Sequence, residues 1–263
     1  MTADRETWTV PTPAGGWDQT WRLVSEVLSV SPHTDWTMIG GLMVQVHAAH
    51  AGLPLIRPTN DVDMLLHIET GATTFSRTRF AVESIGFALQ PPSLGDSVHR
   101  FARVDPSTGA RDQIDVMVAD HAAPRVLPPP VRGFPVFAVP GGTAALRRTV
   151  NCVVHVDGRA QTISVPDSLA ALVLKGAAYI ADHRDGDRHL TDAAILAAAI
   201  RNPRRERSRM RGSDGRRIAA LAGALSDSRH IAWRALDPTV ARHGHDVIEI
   251  LARPVEPGPV SPF

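Results

Sequence analysis

The sequence predicts an α/β (α+β) protein: a mixed sheet flanked by helices over residues 1–165, followed by a helical C-terminal lobe over 166–263. Three observations predict it. Short apolar runs of strand length alternate with stretches of helical periodicity as far as Val165. Beyond Pro166 the texture becomes Ala/Leu-rich and helical, over 167–200, 215–226 and 238–251. The chain has 263 residues, 43% of them hydrophobic and 21% charged, with a net charge of +1, which suits a sizeable core and excludes disorder as the main state.

The elements follow in order. Residues 1–16 are polar and broken by Pro and Gly, which reads as an irregular arm. Trp21, Val24, Val27 and Leu28 recur at helical spacing within 17–30. A short strand over 34–39 stops at Gly40-Gly41, and a helix resumes over 42–51 with Gly52 as its C-terminal cap. After a loop over 53–60, residues 61–68 form a strong strand with Val62, Met64 and Leu66 on one face. A helix over 73–85 precedes Gly86, and strands follow at 87–89, 98–104 and 113–119. The stretch 122–142 holds six of the 21 prolines and reads as a structured irregular connection. Strands at 151–156 and 160–165 flank Asp157-Gly158, a hairpin signal.

Several classes of function are excluded early. No apolar run approaches the roughly 20 residues of a membrane span, and the first 25 residues lack the basic-then-apolar layout of a secretion signal. Cys152 is the only cysteine, so there is no internal disulfide and no all-Cys zinc site. No Gly-x-Ser-x-Gly elbow occurs, and neither His47/His50 nor His243/His245 has Cys or acids arranged as a zinc set. A soluble cytoplasmic protein is the expectation.

The residues that can carry chemistry are few. Gly40-Gly41 lies at a strand-to-helix junction, where glycine lets backbone approach a ligand and the helix offers free N–H groups to an anion. Asp61 and Asp63 sit at i and i+2 of a strand and so project to one side. Two carboxylates that close repel unless a cation offsets them, and Mg²⁺ is the usual resolution. Asp115 lies among Ile114, Val116 and Met117, where a charge needs a partner: a shared ion, or a salt bridge to Arg103 or Arg111.

Of 28 basic residues only Lys175 is lysine, a sign that a compact ammonium is wanted there and a guanidinium fork is not. It stands mid-helix, with Arg184 nine residues on. Arg184 can rejoin it only if the helix ends early, near Asp185-Gly186. Asp192 can cap the next helix or orient Lys175 by a charge-assisted hydrogen bond. Residues 201–217 hold eight Arg against two acids, a candidate backbone-phosphate patch or a solvated connection between helices.

Gly40-Gly41, Asp61-x-Asp63 and Asp115, in that order, resemble the nucleotidyltransferase fold of the DNA polymerase β-like superfamily. Lys175…Arg184 and Arg188-His189-x-x-Asp192 are similar to the last two motifs of one branch, the AbiEii/MenT-type nucleotidyltransferase toxins of bacterial toxin–antitoxin systems. The resemblance covers roughly residues 36–200. It implies a nucleotidyltransferase-type mixed sheet and a Mg²⁺-dependent transfer of a nucleoside monophosphate from an NTP to an acceptor. It further implies that Asp61, Asp63 and Asp115 hold the metal, and that Asp61, Asp63, Lys175 and Asp192 are catalytic. Gly40, Gly41, Arg57, Thr59 and Lys175 would take the nucleotide. A tRNA acceptor, reached through 201–217, and a cognate antitoxin protein are the implied partners.

Two alternatives stand beside that reading. A small-molecule nucleotidyltransferase of the aminoglycoside or lincosamide type shares the glycine turn and the Asp-x-Asp layout. A catalytically degenerate member that binds nucleotide or a partner is suggested by Gly41, where many members carry Ser, and by Arg188-His189, where Lys-Asp is common.

Overall fold

The computed structural model describes residues 5–55, 57–92, 97–182 and 184–253. Residues 1–4 of the expected arm, Ile56 of the expected loop and His183 lie outside the described residues. The order of elements is β1 (Thr7–Thr9), α1 (Thr20–Val30), β2 (Trp36–Ile39), α2 (Gly40–His50), β3 (Asp61–Leu66), α3 (Phe75–Ser84), β4 (Ala88–Leu89), β5 (Arg100–Val104) and β6 (Arg111–Ala119). A 3₁₀ turn at Pro124–Val126, β7 (Ala138–Val139) and α4 (Gly142–Leu146) follow, then β8 (Thr149–Val156) and β9 (Arg159–Pro166). Every later element is a helix: α5 (Ser168–Ala181), α6 (Gly186–Ala199), α7 (Pro203–Arg209), α8 (Asp214–Ala224), α9 (Ile231–Arg234) and α10 (Pro238–Ala252).

The main sheet is mixed, as expected. Its order is β2-β3-β6-β5-β4, and β7 also pairs with β6. β3 and β6 run parallel at its centre, while β2 and β5 flank them antiparallel. β5 pairs β6 along 111–115, and the same strand then passes to β7 at Val118 and Ala119. A second sheet has the order β1-β8-β9. The hairpin between β8 and β9 turns at Asp157 (φ 48°) and Gly158 (φ 76°), the left-handed pair that a two-residue turn requires.

The core explains the helices that flank the sheet. α2 is mostly apolar and is buried from Gly41 to Ala49, with Gln45 and His47 hydrogen-bonded inside. Leu169–Ala177 of α5 is buried too, and that stretch includes Lys175. Among the described residues no helix is long and apolar enough to cross a membrane.

Three expectations are corrected and one is refined. The arm is not wholly irregular: Thr7–Thr9 pairs parallel with β8, because the outer edge of the hairpin offers unpaired backbone groups there. The Pro-rich connection contains β7 and leads directly into α4, an element that its prolines and glycines mask. The stretch 167–200 is two helices, α5 and α6, parted at residues 182–185, beside the early end near Asp185-Gly186 that lets Arg184 rejoin Lys175. Asp115 is partnered neither by Arg103, which forks Glu26 and Asp112, nor by Arg111, but by Arg100, which faces it across β5 and β6.

Candidate active site

Strand register assembles the acids. Asp61 and Asp63 share one face of β3, and Asp115 is the direct neighbour of Asp63 on parallel β6. Asp61, Asp63 and Asp115 each offer a carboxylate oxygen, all within 4.8 Å of one another. Thr59 Oγ1 donates to Asp61 at 2.7 Å, and Arg100 forks Asp115 through Nε and Nη2 at 3.1 and 3.0 Å. Asp63 accepts no side-chain hydrogen bond or ion pair among the described residues. Withdrawal from water pushes its carboxyl up to about 8, with Asp61 and Asp115 adding to the rise and Lys175 and Arg188 opposing it.

Both glycines are required by their neighbours. Gly40 opens α2 at φ 72°, and a Cβ there would stand 1.7 Å from Asp63 Oδ2. A Cβ on Gly41 would meet Thr59 Oγ1 at 2.6 Å and Arg57 Nη2 at 2.9 Å. The two residues therefore admit the acid on one side and the Arg57/Thr59 loop on the other. Ile39, before the helix, supplies no side-chain cap to the first N–H groups of α2, and Gly40 stands beside Asp63.

Lys175 is anchored from behind. Its Nζ lies 2.7 Å from Asp192 Oδ2, and Arg57 forks the same carboxylate at 3.1 and 3.2 Å. Burial pushes the Asp192 carboxyl up, but Lys175 and Arg57 more than reverse this and hold it below its ordinary value. Asp192 lies within α6, nearly two turns past its start, so it orients Lys175 instead of capping the helix.

A cleft of about 570 Å³ joins these parts. Gly40, Asp63 and Lys175 line it, with Arg184 and Arg188 beyond. Arg184 reaches it because α5 stops at Ala181. Met117, Phe137, Val139 and Leu174 supply an apolar wall. Arg188 Nε and His189 Nδ1 are buried without a partner, and burial lowers the His189 imidazole, with Lys175 adding to the drop. A cleft that sets unpartnered donors opposite Asp63, which is clustered with Asp61 and Asp115, can hold a polyanion and a hard cation together.

Sequence reasoning missed Arg100 and the wall from the Pro-rich connection. Alternation along β5 carries a signal for Arg100, since Arg100 and Ala102 share a face opposite Phe101; the wall has none. The remaining sites are different in kind. His47 is buried and bonded to the Pro166 carbonyl at 2.9 Å, with its imidazole lowered to about 4 by burial. His245 does have acids nearby, Asp246 and Glu249, on the outer surface of α10. Burial pushes the Cys152 thiol up to about 12, so it is inert.

Neither protein-family models nor curated proteins match this chain. Among solved structures it is similar to an antigenic nucleotidyltransferase-like protein from Paracoccidioides brasiliensis, at 14% identity and a TM-score of 0.49, over 81% of this chain and 90% of that one. A likeness that distant leaves the function to be argued from side chains.

Proposed function

We propose that the protein is a Mg²⁺-dependent nucleotidyltransferase that moves a nucleoside monophosphate from an NTP to an acceptor hydroxyl. One observation carries the reading: three carboxylates have oxygens inside 4.8 Å of one another, and Asp63, the one unpartnered among the described residues, lines a cleft with the chain's single lysine. The donor set fits magnesium, being all hard oxygen, and the repulsion that raises Asp63 is what a divalent ion would relieve. Bound there, magnesium would supply charge neutralisation on the triphosphate and on the attacking oxygen.

The chain's own groups do the rest. The glycine turn places backbone N–H groups at the triphosphate, and Lys175, held by Asp192, donates to it. Arg188 and Arg184 extend the cationic wall toward the leaving pyrophosphate, and the apolar wall receives the base. The acceptor oxygen bonds to the α-phosphorus as the bond to the pyrophosphate oxygen breaks, and the hydroxyl proton passes to the carboxylate face. In this reading 1–165 bring the acids and 166–263 bring Lys175 and Asp192. The acceptor we propose is tRNA, approached along 201–217, where Arg204, Arg205 and Arg216 are exposed, with toxin-like action restrained by a partner protein.

The test is incorporation of each of the four radiolabelled NTPs into total RNA with Mg²⁺. Label is expected in the tRNA fraction, falling about 1000-fold or more in Asp61→Asn, a loss typical of removed electrostatic stabilisation. Equal labelling by Asp61→Asn, or label in no acceptor, overturns the assignment.

A further inference from the structure

A second hollow, of about 580 Å³, lies outside the acid cleft and is lined in part by the 209–217 end of the segment along which the acceptor is proposed to approach. It forms where the turn between β7 and α4 meets the connection from α7 to α8, and five arginines line it. Three of them are engaged. Arg148 pairs with Asp214 at 3.1 Å, Arg209 with Glu206 and Asp167, and Arg211 donates to the carbonyls of Ser208 and Met210.

The other two are Arg147, which is exposed, and Arg217, which is not. It is 8% exposed, and its guanidinium makes no hydrogen bond or ion pair among the described residues. Two glycines make room for it. A Cβ on Gly141 (φ 87°) would stand 2.9 Å from Arg217 Nη1, and one on Gly176 would stand 2.7 Å from the Arg217 carbonyl oxygen. Arg148 lines the same hollow, and its Nη1 is buried without a partner among the described residues. The two lining acids do not neutralise Arg217. Asp120 accepts the N–H groups of Gly141 and Thr143 and faces His121, while Asp214 holds Arg148 and the Arg211 N–H.

A guanidinium cannot shed its charge, and burying one unpaired is costly. The unpaired guanidinium of Arg217 and the one free Nη1 of Arg148, with exposed Arg147 at the rim, match an anion that has several oxygens. We propose that this hollow is a phosphate site, separate from the acid cleft, which holds the phosphoryl group of free phosphate or of a phosphate ester. The Pro140–Gly141 turn borders both hollows, with Pro140 on the cleft and Gly141 here.

The experiment uses the full chain in EDTA, so that the carboxylate cluster and any transfer activity play no part. Inorganic phosphate is titrated at constant ionic strength against chloride, reading Tm and the ³¹P linewidth. A saturable rise in Tm is expected, absent in Arg217→Gln. Arg147→Gln, an exposed change that leaves the fold alone, should bind about tenfold more weakly, the loss of one charge-assisted hydrogen bond. Competition by an RNA hexanucleotide without terminal phosphates assigns the source to a nucleic-acid backbone; failure to compete assigns it to free phosphate or a monoester. No saturable response, or an unchanged one in Arg147→Gln, overturns the proposal. Where Arg217→Gln does not fold, the comparison of the natural chain with Arg147→Gln decides.

Discussion

At Asp63, burial and two neighbouring carboxylates push the carboxyl from 3.8 up to about 8. Across that window the folded metal-free chain holds a proton that the unfolded chain has released. Stability is therefore greatest below the unfolded value and falls as pH rises through the folded one. The slope is bounded by one proton, about 1.4 kcal/mol per pH unit. Thermal melts in EDTA should drop steadily as pH is raised toward 8, and Mg²⁺ should restore stability at the alkaline end. Asp63→Asn should flatten the pH dependence and abolish the gain from the metal. A wild-type Tm indifferent to both pH and Mg²⁺ would remove the metal site.

Among the elements, α2 offers an internal control, because a left-handed glycine stands at each end of it. Gly40 has φ 72° and Gly52 has φ 73°, but only Gly40 faces another group: a Cβ at Gly52 has open space around it. Alanine at either position meets the same backbone penalty of about 1–2 kcal/mol. Gly40→Ala adds collision with Asp63, a further ~1–3 kcal/mol of overpacking. Urea unfolding should thus show Gly40→Ala clearly the less stable of the two. Equal losses would mean that the acid swings away freely and that the close packing of turn and carboxylate is incidental. Both glycine positions were readable as punctuation, and so was the hairpin at Asp157-Gly158. The break between α5 and α6 was marked in the same way by Asp185-Gly186, although Ala/Leu periodicity resumes on both sides of it.

Across the whole molecule, one carboxylate ties three segments together. Asp192 on α6 receives Lys175 from α5 and Arg57 from the loop leading into β3. Asp192→Asn leaves two cations facing each other around a buried site, and breaking such a cluster costs about 3–5 kcal/mol. Denaturant unfolding should show that loss. A change below about 1 kcal/mol would place the pair on a par with surface salt bridges, which contribute little. Lys175 and Asp192 could each be singled out along the chain. Arg57 as their third member could not, because its partner lies 135 residues away.

The sequence by itself determined the alternation of strands and helices, the glycine turn, and the acids of β3 and β6 that carry charge among apolar neighbours. Those are local facts, written in period and composition. Tertiary structure alone decided that Arg100 guards Asp115, that Phe137 and Val139 wall the cleft, and that Arg217 is buried without a counter-ion. Each of these depends on strand register or on helices meeting across the core, and neither periodicity nor composition encodes which distant side chains come to face one another.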